Sequence, residues 1–211
     1  MKLLIENIHQ LHCVAQNKEL RKAGSSMSDS VMHENAFVFA EDGIIRAFGP
    51  MAQIKDEYRE DAEVYDATSK LVIPGFVDSH THLVFARSRE VEYVDRIKGK
   101  SYEEIAANGG GILNSAKALQ SMTEDELFEG ALSRAWEILS WGTTTVEIKS
   151  GYGLTLEDEL KMLRVAKRIE DWCPIRIRRT FLGAHAVPAE YKGRQGEYVD
   201  LVINEMLPAV A

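Results

Sequence analysis

From Pro74-Gly75 onward, short apolar runs alternate in regular order with helix-period segments. That alternation restricts the fold more than any other feature of the chain. Residues 76–83 read as a strand. Ser101-x-x-Glu104 then opens a short helix as a capping box, in which each side chain satisfies an orphan amide of the first turn. Gly109-Gly110-Gly111 ends it. Thr123-x-x-Glu126 opens a longer helix with Leu127, Ala131, Ala135 and Ile138 on one face and Gly142 as its stop. Residues 143–149 form a second strand. Residues 155–171 form a helix turning Leu156, Leu160, Leu163 and Ile169 inward. Residues 175–184 form a third strand, and 197–210 a closing helix. Strand and helix in three successive units argue a parallel sheet. Polar residues at alternate positions near the C-terminal ends of the first two strands fit a barrel with a polar mouth better than an open doubly wound sheet. A complete (β/α)8 barrel takes about 250 residues. The expectation is therefore an α/β protein whose residues 71–211 form the first three βα units of a truncated, TIM-like (β/α)8 barrel. Arg176, Arg178 and Arg179 are heavy charge for a central strand, and the sequence offers no place for all three.

Residues 1–70 have a β character. Residues 2–8 are a short apolar strand, and the polar stretch 18–35, with Gly24-Ser25-Ser26, reads as a mobile loop. Residues 36–40 and 44–48 flank Glu41-Asp42-Gly43, a hairpin signal because both turn positions tolerate positive φ. Residues 62–67 and 70–73 look like further strands. The expected first domain, residues 1–70, is the N-terminal part of a small β-sandwich. With 45% apolar and 27% charged residues in 211, collagen-like, low-complexity and wholly disordered readings are excluded. No apolar run approaches the ~18 residues of a membrane span, and Met1-Lys2-Leu3-Leu4-Ile5-Glu6 is too short an apolar stretch for a signal peptide. Cys13 and Cys173 form no metal or redox spacing, which points to the cytoplasm. A net charge of −8 argues against nucleic acid or an anionic membrane surface as partner. It leaves room for a small anionic substrate wherever cations gather locally.

The chemistry concentrates in Pro74-Gly75-Phe76-Val77-Asp78-Ser79-His80-Thr81-His82. On a strand, i and i+2 project to one side, so His80 and His82 point together at the C-terminal end, where barrel enzymes keep their sites. Paired imidazoles suit a divalent metal that takes neutral nitrogen donors. Two ordinary histidines at a strand end are the plainer alternative. A catalytic zinc keeps about three protein ligands plus water; of the other histidines, His9, His12 and His33 fall in the β region, whereas His185 follows the third strand and can approach the same mouth. Asp78 shares the histidines' face but lies deeper. Arg89 stands in the loop at that mouth, with Arg87 beside it, and a guanidinium binds a carboxylate bidentately; the alternative is a solvated loop arginine. Lys149-Ser150-Gly151-Tyr152-Gly153 leaves the second strand, its glycines permitting a tight turn that presents Tyr152. It is no dinucleotide fingerprint, since Leu156 stands where a glycine is needed, and the triple glycine lacks the following Lys-Ser/Thr of a phosphate loop.

His80-Thr81-His82-Leu83-Val84-Phe85-Ala86, Ser88-Arg89-Glu90, Val146-Glu147-Ile148-Lys149-Ser150-Gly151-Tyr152-Gly153-Leu154 and Thr180-Phe181-Leu182-Gly183-Ala184-His185 together resemble the imidazolonepropionase family of metal-dependent amidohydrolases. The likeness covers nearly all of residues 71–211 and extends more loosely over 1–70. It implies a hydrolase of histidine degradation that opens 4-imidazolone-5-propanoate, a small anionic cyclic amide, to N-formimidoyl-L-glutamate. It also implies one zinc or iron ion held in part by His80 and His82, and substrate contacts from Arg89, Tyr152 and His185, with His185 hydrogen-bonding the oxygen on which charge develops. Arg87 stands where the family usually has glycine. The family is roughly twice this length, in keeping with a full barrel; its remaining metal ligands, a histidine and an aspartate, and its later glutamate have no counterpart here. Three alternatives stay open: an inactive truncated fragment, an interaction module, or another cyclic amidohydrolase. An incomplete barrel also leaves the third strand's edge unpaired, which favours association of copies as a homo-oligomer.

Overall fold

Backbone pairing divides the chain after Pro74. In the computed structural model, which describes residues 1–13, 21–107 and 110–211, the two units are Met1–Pro74 and Gly75–Ala211. The first holds β1 (Lys2–Cys13), β2 (Val31–Glu41), β3 (Ile44–Pro50), β4 (Ala62–Asp66) and β5 (Leu71–Val72). They form one five-stranded sheet in the order β3-β2-β1-β4, with β5 also on β1. The β2–β3 hairpin turns at Asp42 and Gly43, whose φ angles of 51° and 77° give the primed turn that matches strand twist. β1 is longer than the apolar run 2–8. A bulge at Asn7 (φ 55°) shifts the register between Ile5 and Ile8, and pairing resumes as far as Cys13↔Val31. The expected loop over 18–35 is therefore strand from Val31. Ladder hydrogen bonds need only backbone, so polar residues such as Glu34 are accommodated where the face is open to water. Residues 18–20 lie outside the described residues. Alternation puts Ala36 and Phe37 on opposite faces, and a small core forms on each: Ile8, Leu11, Ala36 and Ala67 on one, Leu4, Phe37 and Phe39 on the other.

The second unit is built on three parallel strands, β6 (Phe76–Thr81), β7 (Thr143–Lys149) and β8 (Arg176–Thr180), in that order across the sheet. Between β6 and β7 run α1 (Glu90–Ile97), α2 (Tyr102–Ala107), α3 (Ile112–Gln120) and α4 (Glu124–Ser140). α5 (Leu156–Ile169) links β7 to β8. After β8 come α6 (Gln195–Leu201), a π-helical turn over Val202–Met206, and α7 (Leu207–Val210). Both capping boxes form. Thr123 Oγ1 accepts the Glu126 N–H at 3.2 Å while Glu126 Oε2 accepts the Thr123 N–H at 2.9 Å; Ser101 and Glu104 make the same exchange. α1 and α3 are elements the sequence reading lacks. Gly111 (φ 85°) is the N-cap of α3; Gly109, in the run expected to end the helix opened by Ser101, lies outside the described residues.

Val146 and Ile148 of β7 and Ile177 of β8 meet Leu127, Phe128, Ala131 and Ala135 of α4 and Met162, Val165, Ala166 and Ile169 of α5 in one core. On α5, Leu163 and Ile169 are buried while Leu156 and Leu160 are only half-buried, so Met162, Val165 and Ala166 carry the centre. Thr145, Glu147 and Lys149 alternate with the core residues and give β7 its polar face. The three arginines of β8 are all exposed and flank buried Ile177, and among the described residues the strand pairs with β7. β6 ends at Thr81 rather than 83 because the Leu83 and Phe85 carbonyls accept from Arg134 of α4, both at 2.9 Å. β8 ends at Thr180 rather than 184, since the Leu182 N–H turns to Ser150 Oγ at 3.0 Å. No helix of the described residues is long and apolar enough to cross a membrane.

Candidate metal and substrate site

Three parallel strands put their C-terminal ends on one edge, and the site residues leave from those ends. His80 is in the last turn of the pleat of β6 and His82 follows it. Tyr152 sits three residues beyond β7, and His185 five beyond β8. The rings converge on His82. Tyr152 stacks on it with centroids 4.8 Å apart and planes at 16°, and His185 lies at 5.2 Å and 24°. His80 approaches edge-on at 5.9 Å. Tyr152 and His185 are themselves 5.9 Å apart. A register break between Asp78 and Thr81 intervenes on β6, yet the two imidazoles remain neighbours. Asp78, expected to lie deeper on the histidines' face, is exposed and accepts the His80 N–H at 3.2 Å.

Electrostatics favour a ligating form of His82. Burial disfavours the imidazolium first, and Coulombic interaction with His185, His80 and Lys149 lowers the pKa further below the ordinary histidine value, with Glu147 opposing. A neutral imidazole is the form that binds metal. His82 Nδ1 is buried with no hydrogen-bond partner among the described residues. A buried polar atom of that kind is costly unless something else satisfies it. Among the described residues no group of three or more His, Cys, Asp or Glu side chains is arranged to hold a metal ion; the donors brought together are the two imidazoles of His80 and His82.

Arg89 occupies a different place, at the N-cap of α1. Its Nε donates to Glu92 Oε2 at 2.8 Å and its Nη2 donates to the same oxygen, while Glu92 Oε1 accepts the Gly111 N–H at 2.8 Å. The hydrogen-bonded guanidinium holds the Glu92 carboxyl below its ordinary range. Arg87, Arg89, Asn114 and Ser115 line a cleft of about 300 Å³ here, and none of the four rings is part of its wall. Four supporting residues were not singled out by sequence reasoning. Arg134 ties down the segment after His82 and lies 3.8 Å over the Phe85 ring. Glu147 and Lys149 pair on the polar face of β7. Glu159 is buried beneath the Tyr152 loop. A signal for Glu159 existed: position 159 falls on the helical stripe of 156, 160 and 163, where a charge requires a partner.

No family model matches the chain. Curated relatives do, and those compared are imidazolonepropionases. That of Christiangramia forsetii is 48% identical over 211 residues, all of this chain and 51% of the relative. That of Clostridium tetani is 48% identical over 191 residues, 90% of this chain and 46% of the relative. That of Brevibacillus brevis is 45% identical over 210 residues, 98% and 50%. The chain thus spans about half the length of the curated relatives it matches. Among solved structures, 5-methylcytosine deaminase from Klebsiella pneumoniae superposes with a TM-score of 0.52 at 20% identity, over 84% of this chain and 35% of that one. Guanine deaminase of E. coli gives 0.50 at 14%, over 96% and 42%. At such identities the likeness is one of fold alone, a mixed α/β fold.

Proposed function

We propose that this chain carries the first half of the working site of an imidazolonepropionase: a metal-dependent hydrolase that opens 4-imidazolone-5-propanoate to N-formimidoyl-L-glutamate. The observation that carries the reading is the convergence of His80, His82, Tyr152 and His185 from three strand ends, with a buried His82 nitrogen lacking a partner among the described residues. In this reading the second unit is the opening of a (β/α)8 barrel and the first is part of a β-sandwich. Parallel β6-β7-β8 with helices between the strands and the polar face of β7 support the barrel. The protein works in the cytoplasm.

The donor set suits zinc or iron, with His80 and His82 as two of its ligands. Such an ion supplies a water that ionises near neutral pH. The chain's own residues do the rest. Arg89, with Arg87 beside it, pairs with the propanoate arm. The Tyr152 ring fixes the plane of the imidazolone. His185 donates to the ring carbonyl oxygen as negative charge gathers on it. The water oxygen bonds to that carbonyl carbon, the ring C–N bond breaks with the nitrogen as leaving group taking one of the water's protons, and the carbon, still joined to the product, becomes a carboxylate as the other proton goes to solvent.

The test joins residue 211 to the second half of the Christiangramia forsetii relative and follows consumption of imidazolonepropionate. The chimera is expected to open the ring with zinc or iron bound, and His82→Ala to abolish turnover. The 211-residue chain alone is expected to show none, because two histidines fall short of the usual three protein ligands. A folded, metal-loaded chimera without ring opening would contradict the reading. So would turnover at an ordinary enzymatic rate, about 1–10³ per second, by the 211-residue chain alone.

A further inference from the structure

Glu159, in the first turns of α5, is only 1% exposed. Its two oxygens are each taken by a backbone amide: Oε2 accepts the Gly151 N–H and Oε1 the Leu154 N–H, both at 2.8 Å. A buried carboxylate is tolerated when charge-assisted hydrogen bonds replace water, and the positive end of the α5 dipole adds to them. These two amides bracket Tyr152. Both belong to residues with positive φ, 108° at Gly151 and 60° at Leu154, and for a non-glycine residue that conformation persists only when its surroundings impose it.

The rest of the loop is tied as firmly. Ser150 N–H donates to Thr180 O at 2.9 Å. Gly153 O accepts from Gln120 Nε2 at 3.0 Å, and Leu154 O from the Tyr198 hydroxyl at 3.1 Å. A Cβ on Gly153 would stand 2.4 Å from Glu159 N, and one on Gly151 would stand 3.0 Å from His185 Cβ, so the loop is seated directly on α5 and on the His185 segment.

We propose that Glu159 is the positioning residue of the site: by holding Gly151 and Leu154 it sets the Tyr152 ring against His82 and His185. The proposal rests on the reading of that ring cluster as the substrate site. Only glutamate serves. Glutamine offers one oxygen and turns an NH2 against the second amide, and aspartate is a methylene too short to reach both.

Glu159→Gln in the 211-residue chain tests this by NMR, without substrate or metal. In the wild-type chain the ring protons of His82 carry the ring-current shift of the stacked Tyr152. In the folded variant that shift is expected to fall by half or more, with amide exchange at Gly151 or Leu154 faster by about tenfold, the loss of one buried hydrogen bond. In a Tyr152→Leu background the same substitution should leave His82 unchanged. A folded Glu159→Gln variant with a lowered melting temperature but unaltered His82 and His185 ring protons would show a purely structural role and overturn the proposal. Should the variant not fold, exchange in the wild-type chain decides: Gly151 and Leu154 amides are expected to open only with global unfolding, and faster local opening overturns it. A chimera that fails to open the imidazolone ring would sink the functional reading and leave this result untouched.

Discussion

His82 owes its chemistry to its neighbours. Stacked rings and partial burial desolvate it, which lowers its pKa below the ordinary histidine value and leaves Nδ1 without a hydrogen-bond partner among the described residues. Arg89 shows the opposite case, a cation held in place by Glu92 rather than by burial. In the chimera Arg89→Ala should raise the Michaelis constant by about tenfold or more, the loss of a charged hydrogen-bond pair, with little change in melting temperature. Unchanged affinity with a lowered melting temperature would assign the arginine to folding alone. Tyr198 supplies a pH prediction. Burial pushes its hydroxyl up to about 12, with Glu159 and Glu190 adding to the effect, against about 10 in the unfolded chain. A pKa raised on folding means stability fully present below about pH 10 and lost as pH climbs toward 12. Denaturant melts at pH 8, 10 and 11 should show that decline in the wild-type chain and not in Tyr198→Phe. The variant should also be weaker by about 1–3 kcal/mol at pH 8, because the buried Leu154 carbonyl loses its donor.

Elements were legible where a local rule decides them. The capping boxes of α2 and α4, the Asp42-Gly43 hairpin and the span of β7 follow from side-chain hydrogen bonding, tolerance of positive φ and β-branched content. Thr123→Ala should cost about 1 kcal/mol in thermal or denaturant unfolding. Leu127→Ala, which empties a site 1% exposed, should cost about 2–5 kcal/mol; equal losses at the two positions would contradict this picture of α4. Elements decided by tertiary contacts were not legible. The extension of β1 depends on a bulge at Asn7, and the early end of β6 depends on an arginine about fifty positions away in α4. The β8 arginines had no legible place because local spacing does not report which side chains meet water; all three are exposed. α1 leaves Val91, Val94 and Ile97 exposed, so its apolar spacing has no core to announce.

For the whole molecule, the parallel strand order of the second unit turns residues far apart in sequence into one cluster. That convergence was partly readable: paired histidines after Pro-Gly, a glycine-flanked tyrosine and a histidine after the next strand each lie where a βα unit delivers side chains. Glu159, Arg134, Glu147 and Lys149 were not readable as a set, because a supporting residue is defined by what it touches, and spacing alone does not show contact. The most direct measurement of the central claim is a zinc titration of the chain followed on the histidine ring resonances, in parallel with His82→Gln. The account expects His80 and His82 to shift together along one saturation curve, weakly because they are two ligands rather than about three, and the curve to vanish in the variant. Zinc that leaves both rings unmoved, or a curve unchanged by His82→Gln, would contradict it.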